Sequence, residues 1–218
     1  MKVIRFGDCR VEVGLCNLRC PYCVHLSQKT EDVDVGRIAE SLRDCGRVYI
    51  GGAEPTVHGD LIDLLKLLNA EVTLKTNGYL TNVIERTIPY VTKFVFELKG
   101  EDPETVAKLS GISVKRAERY LENFHRSLEI VRSAGKKIRI WFRVIPEFVT
   151  EVKFRRMLEK VGKVDEILLY QFLSNPEWDK PFEGASKPDY EFVKRLGEIA
   201  NEFADKVIVK GEECRRQS

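Results

Sequence analysis

Cys16-Asn17-Leu18-Arg19-Cys20-Pro21-Tyr22-Cys23 sets three cysteines at C-x3-C-x2-C spacing, with an aromatic residue directly before the last. Three thiolates so close in one loop cannot all pack on a single apolar surface, but they can converge on one metal centre. Three sulfurs fill three corners of a tetrahedral or cubane site and leave the fourth open, which separates a reactive metal site from a closed structural one. Upstream, Cys9, Val11, Val13 and Leu15 alternate with Arg10, Glu12 and Gly14. That period of two predicts a strand leading straight into the loop, with Cys9 on its apolar, core-facing side.

Downstream, strand and helix patterns alternate. A helix over 34–45 carries Ile38, Leu42 and Cys45 on one face and stops at Gly46, so Cys45 also reads as core. Strands are expected at 47–50, 72–75, 93–98, 138–144 and 166–172, and helices at 59–69, 81–87, 114–134, 151–161 and 190–204. In the long helix, Ala117, Leu121, Phe124, Leu128 and Val131 form one stripe, with Ser113 as N-cap and Gly135 as stop. Lys2–Phe6 reads as a short extended piece and Val207–Val209 as a terminal strand. Six strand–helix units give a parallel sheet, which a doubly wound fold and a partial barrel both satisfy. The distribution of unusual residues decides between them. The cysteine loop, Gly51-Gly52-Ala53-Glu54-Pro55, Thr76-Asn77-Gly78, Glu97-Leu98-Lys99-Gly100, Arg143-Val144-Ile145-Pro146 and Gln171 all fall at or just after strand C-termini. That is the habit of TIM-type barrels, so the expected fold is an α/β partial (β/α)6 barrel with its active site at the C-terminal ends of the strands. Residues 1–211 are expected to form one domain and 212–218 a polar tail that includes Cys214.

A chain of 218 residues with net charge +2 can bury a sizeable core and shows no charge excess pointing to a dedicated DNA-binding surface. Leu109-Ser110-Gly111-Ile112-Ser113-Val114 could be taken for the turn of a helix-turn-helix, but the stripe beyond it is needed to cover the sheet, and that role is rejected. No run of about eighteen apolar residues is present, and the N-terminus has no apolar signal segment. No membrane association and a cytoplasmic location are expected. Six cysteines in that setting point to metal or catalytic use rather than a disulfide framework. Abundant Lys, Arg and Glu with three Gln fit a thermophilic source.

The cysteine loop with Tyr22 before Cys23, followed after one helix by Gly51-Gly52-Ala53-Glu54-Pro55, resembles the radical S-adenosylmethionine (radical SAM) superfamily. The resemblance covers nearly the whole chain, because the later strand-end motifs match in order. It implies a [4Fe–4S] cluster held by Cys16, Cys20 and Cys23, with the amine and carboxylate of S-adenosylmethionine on the fourth iron. One electron then cleaves the sulfonium C–S bond, and the resulting 5′-deoxyadenosyl radical takes a hydrogen atom from an unactivated C–H. Such chemistry requires a low-potential cluster and a dry pocket. By the same resemblance Gly51, Gly52, Ala53, Glu54 and Pro55 lie along the methionine moiety, where the missing Cβ atoms permit close approach. Glu54 then accepts from the ammonium group or holds the loop, and Tyr22 packs near the adenine. Thr76, Asn77, Glu97, Lys99, Arg143 and Gln171 are expected around the rest of the cofactor. Glu97 and Lys99 match the acidic-x-Lys motif of glycyl-radical-enzyme activases, and Arg143 matches an Arg that contacts ribose or carboxylate. Lys75 stands where activases often carry Asp, a departure at their cation site. The plainer alternative for each polar group is an ion pair that caps a strand.

The implied function is hydrogen abstraction from a glycine of a glycyl radical enzyme, such as pyruvate formate-lyase or an anaerobic ribonucleotide reductase. With no second cysteine cluster, electrons would come from an external flavodoxin or ferredoxin. One alternative keeps the chemistry and changes the substrate to a tRNA base, a peptide or a small molecule. Another is a non-catalytic zinc-binding module, for which His25 is the nearby fourth ligand. His25 is otherwise a neighbour of the cluster loop, His125 a packing residue, and Asn175, Trp178 and Asp179 lie where a substrate lid is expected.

Overall fold

The computed structural model describes residues 1–212; residues 213–218, which include Cys214 and nearly all of the expected tail, lie outside them. Along the chain the elements are β1 (Lys2–Gly7), β2 (Arg10–Val13), β3 (Glu31–Asp32), α1 (Val35–Ser41), β4 (Arg47–Gly52), α2 (Leu61–Leu67), β5 (Glu71–Thr76) and α3 (Thr81–Thr87). They continue as β6 (Lys93–Leu98), α4 (Pro103–Ser110), α5 (Val114–Ser133), β7 (Lys137–Val144), α6 (Glu151–Val161), β8 (Val164–Gln171), α7 (Tyr190–Ala200) and β9 (Ala204–Lys210). The chain divides into two compact units. The first holds Met1–Asn17, His25–Phe96 and Glu122–Ile138; the second holds Leu18–Val24, Glu97–Leu121 and the chain from Arg139 onward.

In the first unit the strand order is β3-β1-β2-β4-β5-β6, with β1 antiparallel to both its neighbours and the rest parallel. Val11, Val13, Ile50 and Leu74 are fully buried, as expected of parallel strands covered by helices. In the second unit β7, β8 and β9 run parallel in that order. Ile140, Phe142 and Val144 of β7 alternate inward, and α6 packs Phe154, Met157, Leu158 and Val161 into the core. Side-chain caps start the helices: Asp34, Asp102 and Thr150 accept from backbone N–H groups in the first turns of α1, α4 and α6.

The mostly parallel α/β class and the six predicted parallel strands are borne out. Two details differ. The alternating run does not begin at Cys9; Gly7 pairs with Arg10 across a two-residue hairpin whose central residues, Asp8 and Cys9, take φ of 47° and 58°. Paired left-handed residues are what a tight hairpin requires, and Asp-Cys lacks the glycine that would have announced it. Cys9 is therefore exposed at the hairpin tip, and it is disulfide-bonded to Cys45, 36 residues on, where the chain leaves α1. Neither cysteine is a core residue, and the expectation against disulfides fails for this pair. Among the described residues no helix is long and apolar enough to cross a membrane.

Candidate functional site

Cys16, Cys20 and Cys23 are free thiols, all half-buried, in a chain whose Cys9 and Cys45 are oxidised. Backbone hydrogen bonds help to fix the loop that carries Cys20 and Cys23. Arg19 N–H donates to the Ser110 carbonyl at the end of α4 (2.8 Å), and Cys23 N–H donates to the Cys20 carbonyl (3.1 Å). Gly111 follows in the left-handed region, φ 61°, as the C-cap of α4. A Cβ there would lie 2.8 Å from the Arg19 carbonyl carbon and closer still to its oxygen, so glycine lets the turn and the cysteine loop meet. The Leu109–Val114 stretch is thus a seat for the loop.

Tyr22 is buried with Leu109, Ile145 and Phe172, and Cys20, Phe148 and Phe182 pack against this group. Its hydroxyl accepts from Lys99 Nζ (3.0 Å), and the Arg143 guanidinium lies 4.5 Å from its ring centroid. Lys99 also donates to Glu97 (2.9 Å), and Arg143 donates to the same Glu97 oxygen (2.8 Å). The Glu97 carbonyl accepts from the Tyr120 hydroxyl (3.2 Å). Asp179 Oδ1 stands 2.7 Å from Arg143 Nε. Two buried cations and two buried carboxylates therefore balance, the condition under which buried charges are tolerated. Burial alone would push Lys99 and Arg143 down, but Cys20 and Glu97 around Lys99, and Glu97 and Asp179 around Arg143, hold both above their ordinary values. Burial raises the Cys20 and Tyr22 groups, and the Lys99 and Arg143 charges oppose that rise.

In the first unit, Glu54 is fully buried and ends β4 at the start of a short turn. Its Oε1 accepts from Thr56 N–H (3.1 Å), Thr56 Oγ1 (2.6 Å) and Thr76 Oγ1 (2.8 Å), and its Oε2 accepts from Asn77 N–H (2.6 Å). Four donors converge on the carboxylate, three on Oε1 and one on Oε2, so Glu54 ties the turn after β4 to the end of β5. Asn77 Nδ2 donates to Asn17 Oδ1 beside Cys16 (2.7 Å), and Asn77 Oδ1 accepts from Tyr79 N–H (3.0 Å). Ser127 and Asn123 of α5 donate to the carbonyls of Gly78 and Tyr79 (2.8 and 3.0 Å), fixing the turn after β5. Gly52, with φ 93°, would bring a Cβ to 2.7 Å from the Val13 amide nitrogen and carbonyl oxygen, so the close approach it permits is to β2.

Thr76, Asn77, Gly51, Gly52, Ala53, Glu54 and Pro55 are thus gathered in the first unit, and Tyr22, Glu97, Lys99 and Arg143 in the second. Gln171, also in the second unit, bonds to backbone. Its Nε2 donates to the Pro188 carbonyl (2.9 Å) and its Oε1 accepts from Glu212 N–H (3.0 Å), so its amide ties two backbone segments together. His125 stacks edge-on against Phe124, a packing role as expected. His25 lies in the first unit, where its charge acts on Glu12. Sequence reading missed three features: the Arg143 partner Asp179, the Tyr120 hydroxyl and the Ser110 seat. Each is paired across dozens of residues with no local pattern.

Among the described residues no three His, Cys, Asp or Glu side chains form a gathered metal site. The donor chemistry nonetheless fits an iron–sulfur cluster, because three free thiols share one loop and buried cations bear on Cys20.

The open, mostly parallel sheet is the partial TIM-type barrel of the radical SAM enzymes. Resemblance to that superfamily, and within it to the activating enzymes of glycyl radical enzymes, is borne out, and the chain is an enzyme. No family model matches the chain. A Methanocaldococcus jannaschii protein with the provisional name glycyl-radical enzyme activating enzyme is 27% identical over 214 residues, 88% of this chain and 76% of that protein. A pyruvate-formate lyase-activating enzyme domain from Bacteroides vulgatus superposes with a TM-score of 0.60 at 18% identity, over 76% of this chain and 99% of that one. A radical SAM methyltransferase from Sphaerobacter thermophilus gives a TM-score of 0.71 at 16% identity, over 92% of this chain and 65% of that one. The chain spans about half, 47%, of Streptococcus suis SuiB, which it also matches (TM-score 0.68, 20% identity, 90% of this chain).

Proposed function

We infer that the chain activates a glycyl radical enzyme. The observation that carries this reading is the loop of three free thiols seated on the Ser110–Gly111 turn, with buried Lys99 and Arg143 bearing on Cys20. Cys16, Cys20 and Cys23 would hold a [4Fe–4S] cluster, and S-adenosylmethionine would be the second cofactor. When bound, the two supply a 5′-deoxyadenosyl radical that takes hydrogen from a glycine of the partner. The chain's own residues divide the remaining work. Glu54 locks the ends of β4 and β5, which fixes the backbone of Gly51–Pro55 for an extended ligand. Lys99 and Arg143 provide positive charge suited to a carboxylate and to an anionic cluster. Tyr22, packed by Phe172 and Phe182, excludes water beside Cys20. Electrons would come from an external flavodoxin or ferredoxin, and the reading places the enzyme in the cytoplasm. The match to activating enzymes favours a protein glycine over a tRNA base or small molecule.

The test is anaerobic reconstitution with iron and sulfide, followed by dithionite and S-adenosylmethionine. About four irons per chain and release of 5′-deoxyadenosine are expected; one zinc and no cleavage would replace the reading with a zinc module. Incubation with a candidate glycyl radical enzyme should produce the glycyl radical signal by electron paramagnetic resonance. Cleavage without such a signal on any partner would move the substrate to RNA, peptide or small molecule.

A further inference from the structure

The connection between β8 and α7 is polar and mostly exposed, yet its Asp179 side chain is completely buried, while Glu177 and Glu183 beside it are exposed. Asp179 lies against Arg143, whose guanidinium is covered by the rings of Tyr22, Trp141 and Tyr170 at 4.5, 5.5 and 5.8 Å. The pairing is close but badly aligned. The contact is a single one, Arg143 Nε to Asp179 Oδ1 at 2.7 Å, and it is poorly aligned for a hydrogen bond. The other Asp179 oxygen accepts from Leu173 N–H (2.9 Å), and Leu173 is a non-glycine residue in the left-handed region at φ 59°. Such a conformation persists only when its surroundings hold it. The same segment covers Tyr22: Lys180 N–H donates to the Tyr22 carbonyl (3.2 Å), and Phe182 packs on its ring.

We propose that Asp179 is an internal stand-in for a ligand carboxylate on Arg143, and that a carboxylate-bearing ligand enters by displacing it, which frees the 174–188 segment. Balance requires the exchange. With Asp179 gone, a buried positive charge is left that only another anion can neutralise. A carboxylate that meets the guanidinium fork in line makes two directed hydrogen bonds where Asp179 makes one poorly aligned contact, so the incoming ligand has the better geometry. Once Asp179 leaves, Leu173 loses the acceptor of its N–H and keeps only its packing on the Tyr22 cluster and the Ser174–Gln171 turn hydrogen bond, so the segment is loosened over Tyr22. On the reading above, from which the ligand's identity is taken, the carboxylate is that of the methionyl group of S-adenosylmethionine. Asp179 is then a positioning residue that couples cofactor arrival to uncovering of the ring next to Cys20.

The reconstituted full chain is tested as wild type, Asp179→Asn and, as conservative rescue, Asp179→Glu. Hydrogen–deuterium exchange of peptides covering 172–188 is the first readout. Without ligand, D179N should exchange about tenfold faster there than wild type and D179E close to wild type, with other peptides unchanged. In wild type the same acceleration should follow addition of S-adenosylmethionine, a result that does not depend on the variant's folding. Equilibrium dialysis is the second readout. Because closure lowers apparent affinity by the open fraction, D179N should bind S-adenosylmethionine about tenfold more tightly and its decarboxylated analogue no more tightly than wild type does. Unchanged exchange in both D179N and ligand-loaded wild type overturns the latch. Equal gains for the two ligands, or weaker binding by D179N, overturn the stand-in role. Faster exchange in D179N with no S-adenosylmethionine binding by any protein would support the latch, overturn the exchange with that ligand, and count separately against the radical SAM reading.

Discussion

Replacing Gly111 by alanine tests whether the cysteine loop is seated by backbone contact. Two costs add. A left-handed alanine costs about 1–2 kcal/mol. The new methyl group would also overlap the Arg19 carbonyl, which must retreat by roughly 1 Å to regain van der Waals separation. That movement sacrifices the Arg19–Ser110 hydrogen bond, worth about 1 kcal/mol with its buried partner left unsatisfied. The total is about 2–3 kcal/mol, or a fall in Tm of roughly 4–12 °C for a chain of this size. Gly135→Ala is the matched control, because its φ is 66° and a Cβ there meets nothing within 4 Å. Only the conformational cost applies there, roughly 2–8 °C. Scanning calorimetry of both variants, with iron content after reconstitution, separates the two effects. G111A should lose more stability than G135A and should take up less iron, because the carbonyl that moves belongs to the residue before Cys20. Equal losses in Tm together with equal iron content would refute the seat.

Three further outcomes follow from the geometry. Cys9→Ala/Cys45→Ala opens a loop of 36 residues and should lower stability by about 4 kcal/mol on the chain-entropy account, visible as a lower Tm that added reductant no longer changes. Glu54→Gln puts an amide donor against groups that are already donors; melting should show a loss of about 2–4 kcal/mol even without any ligand, whereas an undiminished Tm would show that Glu54 does not hold the loop. Burial pushes the Asp102 carboxyl up, but hydrogen bonds from Thr105 and the Lys153 charge outweigh it and hold the group below its ordinary value of 3.8. A depressed carboxylate contributes stability above its unfolded pKa and loses it as pH falls through the folded value. The drop in stability on acidification below about pH 4 should therefore be shallower in Asp102→Asn than in wild type, measured by urea titration at stepped pH.

The parallel strands were legible because their signal is local. β6, α3 and α6 fall at the limits expected from 93–98, 81–87 and 151–161, since apolar period, caps and glycine stops all lie within each stretch. Cys9 was misplaced for a physical reason. An alternation of apolar residues cannot distinguish the last residue of a tight turn from the first of a strand when no glycine marks the turn. The short strand β3, two acidic residues, carries no pattern at all. In the site, Lys99 and Glu97 could be paired by proximity in sequence, two residues apart on one strand end. Asp179 could not, because its partner is supplied by β7 and nothing in a polar, proline-containing connection says which carboxylate turns inward. The role of Glu54 was open for a similar reason: two of its four donors come from Thr76 and Asn77, more than twenty residues away.

An open sheet, unlike a closed barrel, leaves outer strands with unpaired N–H and C=O groups that can template pairing with another molecule. In the first unit the outermost strand is β3, only Glu31–Asp32, and both residues are exposed. In the second it is β9, whose Asp205, Lys206 and Lys210 are exposed. A strand two residues long offers almost no ladder to a newcomer, and its twin negative charges repel a second copy of itself. β9 is long enough to recruit a strand, and its charged side chains oppose that. Protection of the two rims therefore has different origins, brevity at one and charge at the other, and only the charged rim weakens with added salt. Chain-to-chain association in concentrated, high-salt solution would accordingly begin at β9.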